Sequence, residues 1–379
     1  MQSVAVGWQV YDLRKNPMDL GWVGLAQFLP MAVFSLIGGQ LADRRERKKI
    51  MIWIYLLWAL TTLVMAYLTW VGQVHLISFI VLLFTQGLLR AFSNPASHAF
   101  VTQVVNSHQL KQAVALNSSV WQVSTILGPV VGGFLYAYAG SADLVYLVCT
   151  VGAIIGVTLL SFVKADPTER TKDPISWESL FSGVHYVWKK RIILGAISMD
   201  LFAMLFGGAV ALLPAYAADI LHVGPTGLGF LRAAPGLGAI LMSLCLAVRP
   251  IKKRAGFWLF FNVILFGVAT VGFGLSKVFW FSLLCLFITG ASDIVSVVIR
   301  MTLVQVETPP TMRVRVSAVN SIFISASNEL GEFESGMTAA WFGIVPAVVL
   351  CGFGSIAVAL IWAYAFRELR DMDTFGDQA

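Results

Sequence analysis

Charged side chains stand inside otherwise apolar stretches, and six of them could line one path: Arg90, Asp200, Arg232, Asp293, Glu329 and Glu332. A charge at bilayer depth costs about 3 kcal/mol or more, so it normally faces protein or water and marks a path for ions or solutes. Glu329 and Glu332 are one helical turn apart and share a face. Two such carboxylates in a low dielectric do not both ionise easily, so the pair is expected to hold a proton, which suits a proton carrier. A second reading stays open, in which these charges are static ion pairs between helices or walls of a wet cavity. Glu334 lies on another face. Asn94, Asn117, Gln122 and Asn328 either hydrogen-bond a cargo or join helices.

The elements that must position these groups follow from hydropathy. Of 379 residues, 58% are apolar and 12% charged, with a mean hydropathy of +0.79. Soluble domains carry roughly 25% charge, which excludes an ordinary soluble enzyme. Apolar runs of spanning length lie at about 20–42, 50–74, 76–100, 112–142, 144–163, 192–218, 227–248, 255–276, 278–299, 316–341 and 345–366. Each meets the roughly 20 residues needed to cross a bilayer core. Met1 to Tyr11 ahead of them is about half a span. The four Cys fall inside apolar runs and read as small packing residues, and the five His have no ligand-spaced partners. No phosphate-binding loop or nucleophile motif is present, so no enzyme activity, metal or cofactor is expected.

The chain also repeats. Gly24 to Pro30 reads GLAQFLP and Gly229 to Pro235 reads GFLRAAP, an offset of 205 that also lays Tyr11 on Tyr216 and Gln27 on Arg232. At 203, Arg90 falls on Asp293, a cation in one half against an anion in the other. Two such halves in an apolar chain point to a two-fold transporter.

Loop charge sets the orientation. One side carries only Arg14, Lys15 and Lys277, and the other about 20 basic residues, which predicts that the basic side and both termini are cytoplasmic. The start of span 7, carried back through the repeat, falls before Met1, so the first helix is expected to be incomplete. The expected units are an N-terminal bundle at 1–163, a linker at 164–191 and a C-terminal bundle with a short tail at 192–379. In the linker, Trp177, Leu180, Phe181, Val184, Val187 and Trp188 form an apolar stripe behind Ser176, an amphipathic helix expected on the anionic inner leaflet or in solvent.

The segment Gly39-Gln40-Leu41-Ala42-Asp43-Arg44-Arg45-Glu46-Arg47-Lys48-Lys49 resembles the signature between helices 2 and 3 of the major facilitator superfamily, with Glu46 where that family usually has Gly. The resemblance implies an all-α membrane fold of 12 helices in two pseudo-symmetric six-helix bundles. It also implies a conformational latch built on Gly39, Asp43, Arg44, Arg47 and Lys48, and proton coupling or cavity binding at Arg90. Gly128-Pro129-Val130-Val131-Gly132-Gly133 resembles the core of the helix-5 signature of proton-coupled exporters, although Ser124 stands where that signature has an upstream Gly. Trp8 to Leu13, Leu25 to Pro30 and Ser327 to Glu332 resemble the enterobactin-exporter-like branch. That branch implies proton-driven export of small organic cargo, such as siderophores or drugs, by a monomer in the bacterial inner membrane. The rivals are a non-transporting membrane receptor or assembly protein on the same fold, and an uptake transporter.

Overall fold

The computed structural model describes residues 1–44, 46–105, 109–163, 177–251, 253–309 and 312–373, with side chains at 36–44, 95, 98–99, 101–102, 110–111, 177–181, 183, 314, 318, 322 and 325 left aside. Its helices are α1 (Gln2–Arg14), α2 (Pro17–Arg44), α3 (Arg47–Trp70), α4 (Leu76–Val104), α5 (Leu110–Ala139) and α6 (Asp143–Phe162) in the first half. The second half holds α7 (Trp177–Lys189), α8 (Arg191–Leu205), α9 (Leu213–Asp219), α10 (Gly224–Val248), α11 (Ala255–Leu275), α12 (Phe279–Glu307), α13 (Arg313–Phe342), α14 (Ile344–Ala365) and α15 (Arg367–Arg370). A turn of 3-10 helix, Ala209–Leu212, joins α8 to α9, so the seventh span is broken in mid-membrane. Among the described residues, ten segments are long and apolar enough to cross a membrane. α13 is 30 residues long but carries Glu329, Glu332 and Glu334, and α1 has 13 residues.

The repeat is visible in the packing. A Cβ on Gly87 of α4 would lie 2.8 Å from Pro30 of α2. Its repeat partner Gly290 of α12 meets Pro235 of α10, where a Cβ would lie 2.6 Å from the Pro235 Cα. Only a missing side chain lets the proline-bearing helix approach this closely in each half. The fold is therefore two pseudo-symmetric helical bundles joined through a linker helix.

The halves meet along two seams, α5 on α10 and α2 on α13. On the first, a Cβ on Gly133 would lie 2.5 Å from the Pro225 carbonyl, and Phe134 meets Phe230 edge-on at 5.7 Å. On the second, Gly21 packs against Gly336, and Trp22 meets Phe333 at 5.4 Å. The Tyr11 hydroxyl donates to the Asp219 carboxylate across the same end. These contacts cluster on the side away from the basic loops.

In the linker, Val187 is buried with Ile193, Ile197, Val304, Val316 and Val319, and Tyr186 donates to the Glu307 carbonyl at 3.1 Å. That part of the amphipathic stripe is covered by protein, whereas Trp188 is 70% exposed. Ser176 lies outside the described residues.

Candidate functional site

Beneath the closed end lies a cavity of about 170 Å³ between the halves. α4 contributes Arg90, α10 Arg232, and α13 both Glu329 and Glu332, so two bases and two acids from both halves face one space. Gln2, Ser3, Gln27 and Gln86 complete its polar wall. The i, i+3 spacing that put both glutamates on one face is thus used as read. Gln27 and Arg232, equivalent in the repeat, line the same space from opposite halves.

Each cation has a distinct hold. The Arg90 guanidinium sits 5.9 Å from the centre of the Trp58 ring of α3, a cation–π contact that steadies it without neutralising it. Trp58 donates to Gln2 at 3.3 Å, Gln2 donates to Gln86 at 2.8 Å, and Gln86 donates to Thr61 at 3.1 Å. This chain fixes the first-half wall. Arg232 reaches towards Gly7 of α1, where a Cβ would lie 3.6 Å from its Nη2, and its Nε is buried with no partner among the described residues. Glu332 is set into the α2–α13 seam by Gly24, whose Cβ would come within 2.9 Å of the Glu332 Oε2.

The other two carboxylates lie elsewhere. Asp200 of α8 forms an ion pair with Arg300 of α12, and both are buried, at 7% and 2% exposure. For Asp200 this geometry is the static inter-helix pair, joining two helices of one half away from the cavity. Asp293 is half-buried on α12, outside the cavity lining and without an ion pair among the described residues. Arg300 escaped sequence reasoning because its span was ended at Ile299, one residue short, whereas α12 runs to Glu307. A count would have found it. Once the loops have taken their share of the 26 basic residues, Arg90, Arg232 and Arg300 remain.

The helix-5 glycines stand at interfaces. A Cβ on Gly132 would lie 2.7 Å from the Met1 Cα, and one on Gly128 3.1 Å from the Met1 nitrogen. Pro129 offers its carbonyl to Gly229 of α10, where a Cβ would lie 2.7 Å away, and Gly133 faces Pro225. In the segment proposed as a latch, the side chains of Gly39, Asp43 and Arg44 lie outside the described residues. Lys48 donates at 2.8 Å to both the Ser161 and Val163 carbonyls, closing the end of α6 within its own half.

A sequence profile of the Major Facilitator Superfamily matches residues 1–332. The chain belongs to that superfamily. It is 25% identical over 370 residues to the uncharacterized MFS-type transporter YfiS of Bacillus subtilis strain 168, covering 93% of this chain and 85% of that protein. It is 24% identical over 369 residues to the enterobactin exporter EntS of Citrobacter koseri, covering 97% and 88%. Among solved structures, it superposes with a TM-score of 0.77 at 14% identity on a bacterial homologue of the human lysosomal transporter Spinster, in an inward-facing and occupied conformation. That match covers 97% of this chain and 94% of the other. The inward-open xylose transporter XylE of E. coli gives 0.68 at 11% identity, covering 99% and 93%. The chain is a superfamily transporter of the multi-pass membrane class, and not an enzyme.

Proposed function

We propose that the chain exports small organic molecules, such as siderophores or drugs, in exchange for protons across the bacterial inner membrane. The observation that carries this reading is the cavity, where Arg90 and Arg232 face Glu329 and Glu332 beneath a closed seam. The relatives named as enterobactin exporters support the direction. With the basic loops and both termini in the cytoplasm, the closed end faces outward and this conformation is the inward-facing one.

Alternating access then rocks residues 1–163 against 192–379 around the cavity, as a monomer. Gly128, Pro129, Gly132 and Gly133 form the bearing, and the 39–48 segment holds the opposite state through Asp43 and its neighbouring bases.

One cavity that takes both proton and cargo makes them compete. Ionised carboxylates hold a cationic or hydrogen-donating cargo, and protonation removes that hold, so each displaces the other and the fluxes oppose. A purely anionic cargo would instead be drawn to the freed guanidiniums and would travel with the proton. Flux of cationic, neutral and anionic candidates in proteoliposomes with an imposed pH gradient tests this. Export reading predicts accumulation against the proton flow for the cationic or neutral class. Flux with the proton makes the chain an uptake transporter, and absence of flux for every class favours a receptor on this fold.

A further inference from the structure

A second cavity lies at the opposite surface of the second half, where α8 begins and α14 ends. It has a volume of about 350 Å³ and is lined by Arg191, Tyr364, Arg367 and Glu368 among others. Nothing in the transport reading uses it. The Arg367 guanidinium sits 5.6 Å from the centre of the Tyr364 ring. The Arg191 side chain has neither hydrogen bond nor ion pair among the described residues. Lys189 and Lys190 are exposed immediately beside it, so four basic residues stand against Glu368 and the neighbouring Asp371, which is itself paired with Arg370.

What runs away from this cavity decides its occupant. Leu350, Phe353, Leu360, Ile361 and Tyr364 are 50, 55, 58, 58 and 75% exposed on one face of α14. The stripe from Leu350 to Tyr364 is about 21 Å long at 1.5 Å per residue, on the order of one bilayer leaflet. It ends at the basic cavity, with Trp188 (70% exposed) and Tyr364 at the level where aromatic belts sit. A free anion would use the cavity alone. Cavity and stripe together match a charged headgroup with its acyl chains.

We infer that this cavity is a binding site for an anionic phospholipid, with Arg191 and Arg367 on the headgroup phosphate and the α14 stripe against the acyl chains. The headgroup also meets the neighbouring lysines, and Glu368 disfavours a more negative one. None of these residues belongs to the cargo cavity.

The test uses the full chain in nanodiscs containing phosphatidylglycerol, phosphatidylcholine or a mixture, read by retained lipid in native mass spectrometry and by melting temperature. Phosphatidylcholine bears the same phosphate but cancels it with a cationic choline, so two guanidiniums responding to net headgroup charge predict about a thirty-fold preference for phosphatidylglycerol. The R191Q/R367Q double variant should lose most of it, and the charge-conserving R191K/R367K variant should keep most. Soluble glycerol phosphate should not compete. Equal retention of both lipids, or an undiminished preference in the Gln pair, overturns the proposal. Competition by glycerol phosphate would reduce it to a simple anion site and overturn the lipid assignment.

Discussion

Gly229 of α10 packs on Pro129 of α5, and the repeat carries that contact onto Gly24 of α2 packing on Glu332 of α13. The two seams are the same joint built twice. At one, the partner of the glycine is a proline carbonyl; at the other, it is a carboxylate. Gly128 and Gly133 of α5 likewise answer to Gly331 and Gly336 of α13. Each seam keeps the small residues that let helices approach and slide, because packing rather than hydrophobicity holds helices together in lipid. Only the α2–α13 seam places an ionisable group there. Pro129 removes one backbone bond from α5, whereas Glu332 keeps the bond and adds a carboxylate. The difference teaches that one pseudo-symmetric joint can carry a proline in one copy and an ionisable group in the other.

The largest effect is expected from a charge in neither seam, and it calibrates the comparison. Asp200 and Arg300 are buried partners within one half. D200A strands the guanidinium and should cost about 3–5 kcal/mol, seen as a fall in melting temperature and yield. D200A combined with R300M should recover much of that stability. A D200A protein that melts normally but has lost driven flux would move Asp200 into the proton path.

Next comes E332Q, which keeps size and removes the carboxylate. Gradient-driven flux should fall by about 100-fold, the lower end of what a positioned acid–base group contributes. Exchange of labelled for unlabelled cargo, which needs no net proton movement, should be largely spared. E329Q, facing the cavity one turn away, gives the companion measurement. Full driven flux in both variants would remove the α13 carboxylates as carriers and leave Asp293 as the remaining candidate.

The glycines sharpen the contrast further. G229A puts a methyl 2.7 Å from the Pro129 carbonyl, which is backbone and cannot step aside, so a loss of about 1–3 kcal/mol is expected. G24A meets the Glu332 carboxylate at 2.9 Å, which can rotate away, and the Glu332 Cβ at 3.1 Å, which has to give by only a few tenths of an ångström. It should melt closer to wild type yet lose driven flux, because the displaced group is Glu332. Equal melting temperatures and equal flux in the two variants would erase the distinction between the seams.

Much of this was legible from spacing and hydropathy, and the rest fails for a consistent reason. The span boundaries need only chain-local information: Ile192 was read as the start of the seventh span and α8 begins at Arg191. The shared face of Glu329 and Glu332 is also local, fixed by helical periodicity. The break in the seventh span was not read, although Gly207 and Gly208 stand beside it, because apolar composition continues through the 3-10 turn. Partner choice was not legible at all. Nothing local says that Asp200 meets Arg300 or that Arg90 rests on Trp58, since both pairings are set by how helices assemble.

The smallest effect concerns a pair of tyrosines that the repeat makes equivalent and the fold uses differently. Tyr11 is 2% exposed, sits with Leu20 and Ala215, and donates across the halves to Asp219. Tyr216 stays within its own half, its hydroxyl 2.9, 2.8 and 2.8 Å from the carbonyls of Phe273, Gly274 and Ser276. Y11F keeps the ring and deletes only the cross-half bond, while the exposed Asp219 regains water. The loss should be about 1 kcal/mol, borne only by the conformation in which this end is closed. That corresponds to about a five-fold shift towards opening, read as faster labelling of a cysteine introduced at the buried Ala215 from the side away from the basic loops. Y216F leaves a buried cluster of carbonyls without its donor in every conformation. It should lower the melting temperature without changing the labelling rate. If Y11F lowers stability and leaves labelling unchanged, the Tyr11–Asp219 bond is structural in both states and the two tyrosines are as alike in role as they are in sequence.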